Sequence, residues 1–289
     1  MWKLVANRAG TILAFGAFER TVSLWDLRTF SHQGTLETTY DTSLALNDDA
    51  SVLYTTAWRW KGVAAYHTIN GSELWRRTDL GGRSIRISKD ERLLYCFGDK
   101  SCETLNRLTG KSKRLFRGVH DLWECPSNEI LFLEKKGKFD IQDGATKSPR
   151  RVPRCSFGTL DVAFSSDSIF VSESGGPLRS LDLRTGKENW RHVPPDNEHY
   201  LQIAFSPQTR RLVAARWRYS RGGPYQIFHV DPQNGDHIHV ADVESDGDLL
   251  FCLDGTVLVT LKGRVYEVAT GAPVATLPFA NHLGKRTAD

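Results

Sequence analysis

Short apolar runs alternate with short polar turns along the whole chain, and no segment sustains the three-to-four-residue period of an amphipathic helix. Residues 203–214 show the form clearly. Ile203-Ala204-Phe205 and Leu212-Val213-Ala214 flank the polar stretch Ser206-Pro207-Gln208-Thr209-Arg210-Arg211. The same form recurs at 4–15, 44–55, 85–96, 121–133, 161–172 and 249–261. Its turns include Asn7-Arg8-Ala9-Gly10, Asn47-Asp48-Asp49, Ser88-Lys89-Asp90, Pro126-Ser127-Asn128, Ser165-Ser166-Asp167 and Asp254-Gly255. Apolar runs of this kind, bounded by turn residues, predict strands buried on both faces.

A second signal follows each of these hairpins. It is clearest in Leu181-Asp182-Leu183-Arg184-Thr185-Gly186 and recurs in copies ending at 30, 71, 110, 146, 186, 235 and 271. Successive ends lie 41, 39, 36, 40, 49 and 36 residues apart. Five positions before each end stands an apolar residue (Trp25, Tyr66, Leu105, Ile141, Leu181, Val230, Tyr266), always followed by a polar one. An Asp or Asn leaving a strand accepts a hydrogen bond from its own turn. A glycine then supplies the positive φ that closes a bulged hairpin. Phe30 and Thr146 occupy that glycine position, so altered turns are expected in copies one and four.

Two signals in step imply two hairpins per repeat, hence four short strands. Stacking such sheets radially answers the problem of exposed strand edges. The fold expected is all-β: a seven-bladed β-propeller of four-stranded antiparallel blades, one domain over 1–280 with a tail at 281–289. Each blade is expected to be contiguous in sequence, with no strand exchanged between the first blade and the last.

The repeats resemble two propeller families. Ser23-Leu24-Trp25-Asp26-Leu27-Arg28-Thr29 is similar to the strand end of a WD-repeat. The segments 181–190 and 66–75 resemble the repeat of pyrroloquinoline-quinone-dehydrogenase-like propellers, which ends Gly-Lys-x-x-Trp; Trp190 and Trp75 fill the Trp position. There is one Trp-Asp pair, no Gly-His pair opens a blade and no adjacent cysteines occur, so the resemblance implies architecture and not quinone chemistry.

Composition adds compartment and charge. The 289 residues are 40% apolar and 25% charged, ample for a large core. Asn7 and Arg8 interrupt any secretory apolar segment, and 11–18 is too short to span a bilayer, so a cytoplasmic protein without a membrane segment is expected. Five cysteines without CxxC spacing read as reduced thiols. Between Lys111 and Arg154, eleven basic residues (Lys111, Lys113, Arg114, Arg117, Lys135, Lys136, Lys138, Lys147, Arg150, Arg151, Arg154) outnumber six acids, leaving +5 against a chain total of +4. That patch reads as a solvated edge, as a contact for an acidic protein, or as a polyanion site. Few aromatics interleave with it, which disfavours nucleic acid.

Catalytic signatures are missing: no G-x-S-x-G elbow, phosphate loop or zinc pattern occurs. His237 and His239 share one face of a predicted outer strand without a carboxylate or cysteine partner, and read as solvated, not metal-binding. Asp246 and Asp248 suit a channel ligand only as any propeller's loop acids do. No cofactor and no metal are therefore expected. The loops between second and third strands hold the stronger candidates: Phe18, Arg20, Trp58, Arg59, Trp60, Lys61, Arg216, Trp217, Arg218, Tyr219 and Arg221. Trp, Tyr and Arg dominate binding hot spots, and the longest repeat carries the 216–221 segment. An alternative packs these tryptophans between blades. The function expected is a non-catalytic scaffold or inhibitor holding one protein partner, acidic in one version, on that rim. An immunity protein against a bacterial toxin is a narrower form of it. The alternatives are an enzyme with a metal or small ligand in the channel, and a polyanion-binding module in repeats three and four.

Overall fold

The computed structural model describes residues 3–16, 20–39, 43–57, 62–98, 101–125, 129–134, 139–143, 150–152, 159–173, 175–207, 209–218, 224–244 and 249–279. For His120, 129–134, 139–143, 150–152, 159–160 and Arg218 it describes the backbone alone. Among the described residues every regular element of any length is a strand, and four-stranded antiparallel sheets follow one another along the chain. The first comprises β1 (Lys3–Ala6), β2 (Ile12–Gly16), β3 (Thr21–Asp26) and β4 (Ser31–Glu37). The second comprises β5 (Ser43–Leu46), β6 (Val52–Ala57), β7 (Gly62–His67) and β8 (Glu73–Arg77), and the third β9 (Ser84–Ile87), β10 (Leu93–Phe97), β11 (Ser101–Asn106) and β12 (Ser112–Arg117). Then come β13 (Val119–Glu124), β14 (Glu129–Glu134), β15 (Phe139–Asp143) and β16 (Arg150–Val152), and after them β17 (Thr159–Phe164), β18 (Ser168–Glu173), β19 (Leu178–Asp182) and β20 (Glu188–His192). The last two are β21 (Glu198–Ser206), β22 (Arg211–Arg218), β23 (Tyr225–Val230) and β24 (His237–Val243), and β25 (Leu249–Cys252), β26 (Val257–Thr260), β27 (Arg264–Glu267) and β28 (Pro273–Thr276).

The expectation of seven like blades in one propeller needs correction. The blades whose backbone and side-chain packing are both described number six, not seven. The fourth sheet is reduced: its outer strand β16 has three residues, paired at three positions with β15. Side chains of β14, β15 and β16 lie outside the described residues. Copy four differs in sequence at this turn: it has Ala145 and Thr146 where copies two, three, five, six and seven have Thr or Asn and then Gly, and its glycine stands two positions earlier, at Gly144. The residue suited to positive φ is thus out of step with the other repeats.

The turn chemistry elsewhere follows the residues. In several second hairpins the polar residue at the end of the third strand caps its turn. Asp182 Oδ1 accepts Thr185 N at 2.6 Å, Asn106 Oδ1 accepts Thr109 N at 3.0 Å, and Asp231 Oδ1 accepts Gln233 N at 2.8 Å. Gly71, Gly110, Gly186, Gly235 and Gly271 all have φ between 66° and 82°. A register shift beside the turn marks the bulge, as between Ala65 and Tyr66 or between Ser180 and Leu181. Phe30 departs from expectation in an informative way. It adopts φ 53°, and Asp26 pairs with Ser31, so the ordinary turn is kept and the strain accepted. In the first hairpins Asn or Ser plays the capping part: Asn47 Oδ1 accepts Val52 N at 2.7 Å, and Ser88 Oγ accepts Leu93 N at 2.9 Å.

Two compact units hold these sheets. One comprises residues 1–120, 260–264 and 275–289; the other comprises 121–259 and 265–274. The core of the first includes Leu44, Leu46 and Leu53 packed on Ala14, Val22 and Leu24. A second cluster joins Tyr54, Val63 and Ala65 to Leu94, Cys96 and Leu105. In the other unit Phe170, Leu178 and Trp190 pack on Tyr200, Leu212 and Phe228, and Val213, Ala215 and Ile227 pack on Leu249, Leu258 and Tyr266. These clusters bridge sequence neighbours face to face, as stacked blades require. The first sheet is contiguous in sequence, and among the described residues no late strand joins it. Phe279, just past β28, stacks on Phe15 with ring centroids 4.0 Å apart and lies edge-on to Trp25 at 5.9 Å.

Two outer strands carry a tryptophan that reaches the next blade. Trp75 of β8 donates from Nε1 to Arg107 O at 2.9 Å, and Trp190 of β20 donates to Pro232 O at 2.9 Å. A Cβ placed on Gly110 would meet the Trp75 ring at 2.7 Å, and one on Gly235 would meet Trp190 at 2.7 Å. These glycines are therefore needed twice, for positive φ and for the indole that covers them. No helix among the described residues is long and apolar enough to cross a membrane.

Candidate functional site

The candidate rim is best described where the sixth blade begins. β21 has nine residues and β22 eight, against four to six for the first two strands of every other sheet. Their extra length carries Arg216 and Trp217 toward the loop that follows. Arg216 is 9% exposed, so its charge must be met inside. Its Nε lies 2.9 Å from Glu198 Oε2, its Nη2 donates to Gln226 Oε1 at 2.9 Å, and its guanidinium sits 4.3 Å from the Phe228 ring centroid. Trp217 is half-buried and stacks on Tyr225 at 6.4 Å. Both residues thus have partners within their own sheet, at the end of the strand that leads into the loop. For Arg218 only the strand position is described, and Tyr219 and Arg221 lie outside the described residues.

The other rim candidates divide in the same way. Arg20 is exposed with φ 60°, and its carbonyl accepts Thr38 N at 2.6 Å and Thr38 Oγ1 at 3.1 Å. Phe18, Trp58, Arg59, Trp60 and Lys61 fall outside the described residues, as do Asp246 and Asp248. In the basic segment, Lys111, Lys113, Arg114 and Arg117 are exposed on or beside β12, with the Arg114 guanidinium 4.3 Å from the Phe116 ring centroid. Arg150 and Arg151 are placed on β16 by backbone alone, and Lys135, Lys136, Lys138 and Arg154 are not described.

Sequence reasoning missed a group of buried charges in the fifth blade. Arg179, 4% exposed, donates to Glu173 at 3.0 Å and to Glu188 at 2.6 Å. Burial alone would raise the Glu188 carboxyl, yet hydrogen bonds from Arg191 and Arg179 hold it below its ordinary value. The available signal was an arginine alternating with Leu178, Ser180 and Leu181 in an otherwise apolar strand. Such a residue is solvated or paired inside, and sequence alone does not choose.

The histidines also form an unexpected arrangement. His239 bonds Asp242 at 2.8 Å and is exposed, but His237 is half-buried and packs edge-on against His192 of β20, ring centroids 4.0 Å apart. Tyr200 Oη lies 2.7 Å from His192 Nδ1, and burial pushes that phenol up to about 12. Among the described residues, no three His, Cys, Asp or Glu side chains converge in a way that could hold a metal ion. A cleft of about 1010 Å³ lies between Ser165–Ser168 and the 231–236 turn. Its carboxylates are occupied by their own turns: Asp167 with Ser165, Asp182 with Thr185, Asp231 with Gln233.

No family model matches the chain, and no curated protein matches it. Solved structures resemble it in fold. The β-propeller domain of Cps50 (Swd1) from Myceliophteria thermophila is 13% identical with a TM-score of 0.71, covering 93% of this chain and 94% of that one. Hydrazine synthase of Kuenenia stuttgartiensis is 14% identical with a TM-score of 0.69, covering 94% and 93%. The C-terminal WD40 domain of Sif2 is 14% identical with a TM-score of 0.66, covering 89% and 76%. At such identities the likeness concerns architecture. The chain has the fold of a β-propeller built from four-stranded blades, with WD40 propellers among its structural neighbours.

Proposed function

We propose that this protein is a non-catalytic scaffold that holds one protein partner on the rim of loops between second and third strands. The observation that carries this reading is the overlong β21–β22 hairpin, clamped at its end by the buried Arg216–Glu198 pair and the Trp217–Tyr225 stack. A loop mounted on a rigid base loses little freedom on binding, and binding residues concentrate in such loops. Residues 217–221 read Trp-Arg-Tyr-Ser-Arg, rich in hot-spot types. Arg218 and Arg221 suit a partner with an acidic surface. The cytoplasm is the proposed setting, supported by four buried free thiols at Cys96, Cys102, Cys125 and Cys252. The tryptophans that resemble the Gly-Lys-x-x-Trp repeat act as packing groups, which supports scaffolding over quinone chemistry. Toxin neutralisation is the narrow case, adding the requirement that the captured protein be an enzyme silenced on binding.

The test is to identify the partner by affinity capture and then titrate it, purified, against wild type and the triple variant Arg218→Ala, Tyr219→Ala, Arg221→Ala. The expected outcome is an affinity loss of about tenfold or more at an unchanged melting temperature. Equal affinity overturns the rim as the site, as does a loss matched by a fall in melting temperature. Polyanion binding by the basic segment is a second reading, favoured by the exposed row Lys111, Lys113, Arg114 and Arg117. It predicts nucleic-acid binding that weakens steeply with salt; salt-insensitive binding removes it.

A further inference from the structure

The two tryptophan latches are built alike but secured by different chemistry. In the first unit Arg77, two residues beyond Trp75, donates to Gly110 O at 3.0 Å and to Ser112 Oγ at 3.1 Å. In the second unit the corresponding residue beyond Trp190 is His192, and the counterpart of Ser112 is His237. Where one junction has a permanent cation on a carbonyl and a hydroxyl, the other has two imidazoles in ring contact. We infer that the junction between the fifth and sixth blades is a pH-sensitive latch, in which protonation of the His192–His237 pair loosens β20 from β24, while the Trp75–Arg77 junction does not respond.

The surroundings of the pair favour its neutral form. From β21 Tyr200 meets His192 Nδ1, and Glu198 is engaged by Arg216. From β22 the Arg216 guanidinium adds a fixed positive charge to both imidazoles. β23 offers the apolar face of Phe228, 5.3 Å from the His237 ring, and its neighbour His229 takes the other face of the strand. On β24 and its turn stand Asp236, which opposes the effect at His237, and His239, held by Asp242. On β20 itself, Glu188 is engaged by Arg179 and Arg191. Burial lowers both histidines, and for His192 the neighbouring His237 and Arg216 lower it further. Protonation of the pair sets like charges side by side, next to Arg216. In the protonated imidazole Nδ1 can only donate, so the Tyr200 hydroxyl must then serve as the acceptor.

The sign follows from linkage. A group whose folded-state pKa lies below its unfolded value of 6.5 contributes its stability fully above that pH, and loses it as pH falls. Hydrogen exchange on the intact protein, corrected for intrinsic rates, is the test. Between about pH 7.5 and about pH 5.5, β20 and β24 are expected to lose protection by about tenfold or more relative to β8 and β12. The double variant His192→Arg, His237→Ser transplants the other junction and is expected to abolish that difference. Equal pH response of the two junctions, or an unchanged response in the variant, overturns the inference. Should the variant fail to fold, NMR titration of the two wild-type imidazoles decides: midpoints below 6.5 support the latch, and midpoints at or above 6.5 overturn it.

Discussion

Trp75 and Trp190 make the same hydrogen bond to a turn carbonyl and cover the same turn glycine, yet their surroundings differ. Trp190 is 8% exposed and belongs to a cluster with Phe170, Phe228 and Tyr200. Trp75 is only half-buried, at the margin of a cluster in which its aromatic neighbour among the described residues is Tyr54 at 6.2 Å. Beyond it Arg77 also pairs with Asp79, an exposed contact at 2.6 Å that salt screens and that adds little stability. The comparison separates two ways of securing one device. In the first unit the latch is held by directed hydrogen bonds at the surface. In the second it is held by apolar burial, with a titratable pair at its margin.

The largest expected effect breaks the apolar version. Trp190→Ala removes a buried indole and should cost about 3–5 kcal/mol, whereas Trp75→Ala should cost less, about 2 kcal/mol, because much of that ring is already in water. Denaturant midpoints of the two variants measure the difference, and equal losses would show that burial is not what distinguishes the junctions. Next come Gly110→Ala and Gly235→Ala. Each combines an unfavourable left-handed conformation with a displaced indole, and each should cost roughly 2–4 kcal/mol. The two should fall within about 1 kcal/mol of one another, since both Cβ atoms would meet a Trp ring at 2.7 Å. A much smaller loss at Gly110 would mean that the half-buried Trp75 moves aside. The smallest effect isolates the backbone contribution. Phe30 sits at a turn with φ 53° and no latch, so Phe30→Gly should shift stability by no more than about 1 kcal/mol, toward the folded state. A larger destabilisation, read in the same unfolding experiment, would show that the Phe30 side chain contributes packing.

Much of this architecture was legible because its determinants are local. Asp182, Asn106 and Asp231 announce turns that they themselves cap, and the glycines four residues on fall where positive φ is needed. Phe30 shows the limit of that logic: a cost of about 1–2 kcal/mol reads as a prohibition in sequence, but the paired strands on either side impose the turn anyway. Copy four shows the converse, where a weak local signal accompanies a three-residue outer strand. Side-chain destinations were less legible. Arg216 looked like a rim contact because arginines are usually solvated, and only the fold brings Glu198 to 2.9 Å from it. Arg179 and the His192–His237 contact were invisible for the same reason, since their partners come from other strands at spacings that no short motif encodes.

Phe279 ties distant parts of the chain together. Phe15 is fully buried, and one face of its ring is covered by a residue that lies far along the sequence. A contact of such long sequence separation closes a large loop, whose entropy is lost before the stacked rings reward it. The aromatic packing of the first sheet is therefore expected to be completed late in folding, however early its own four strands pair.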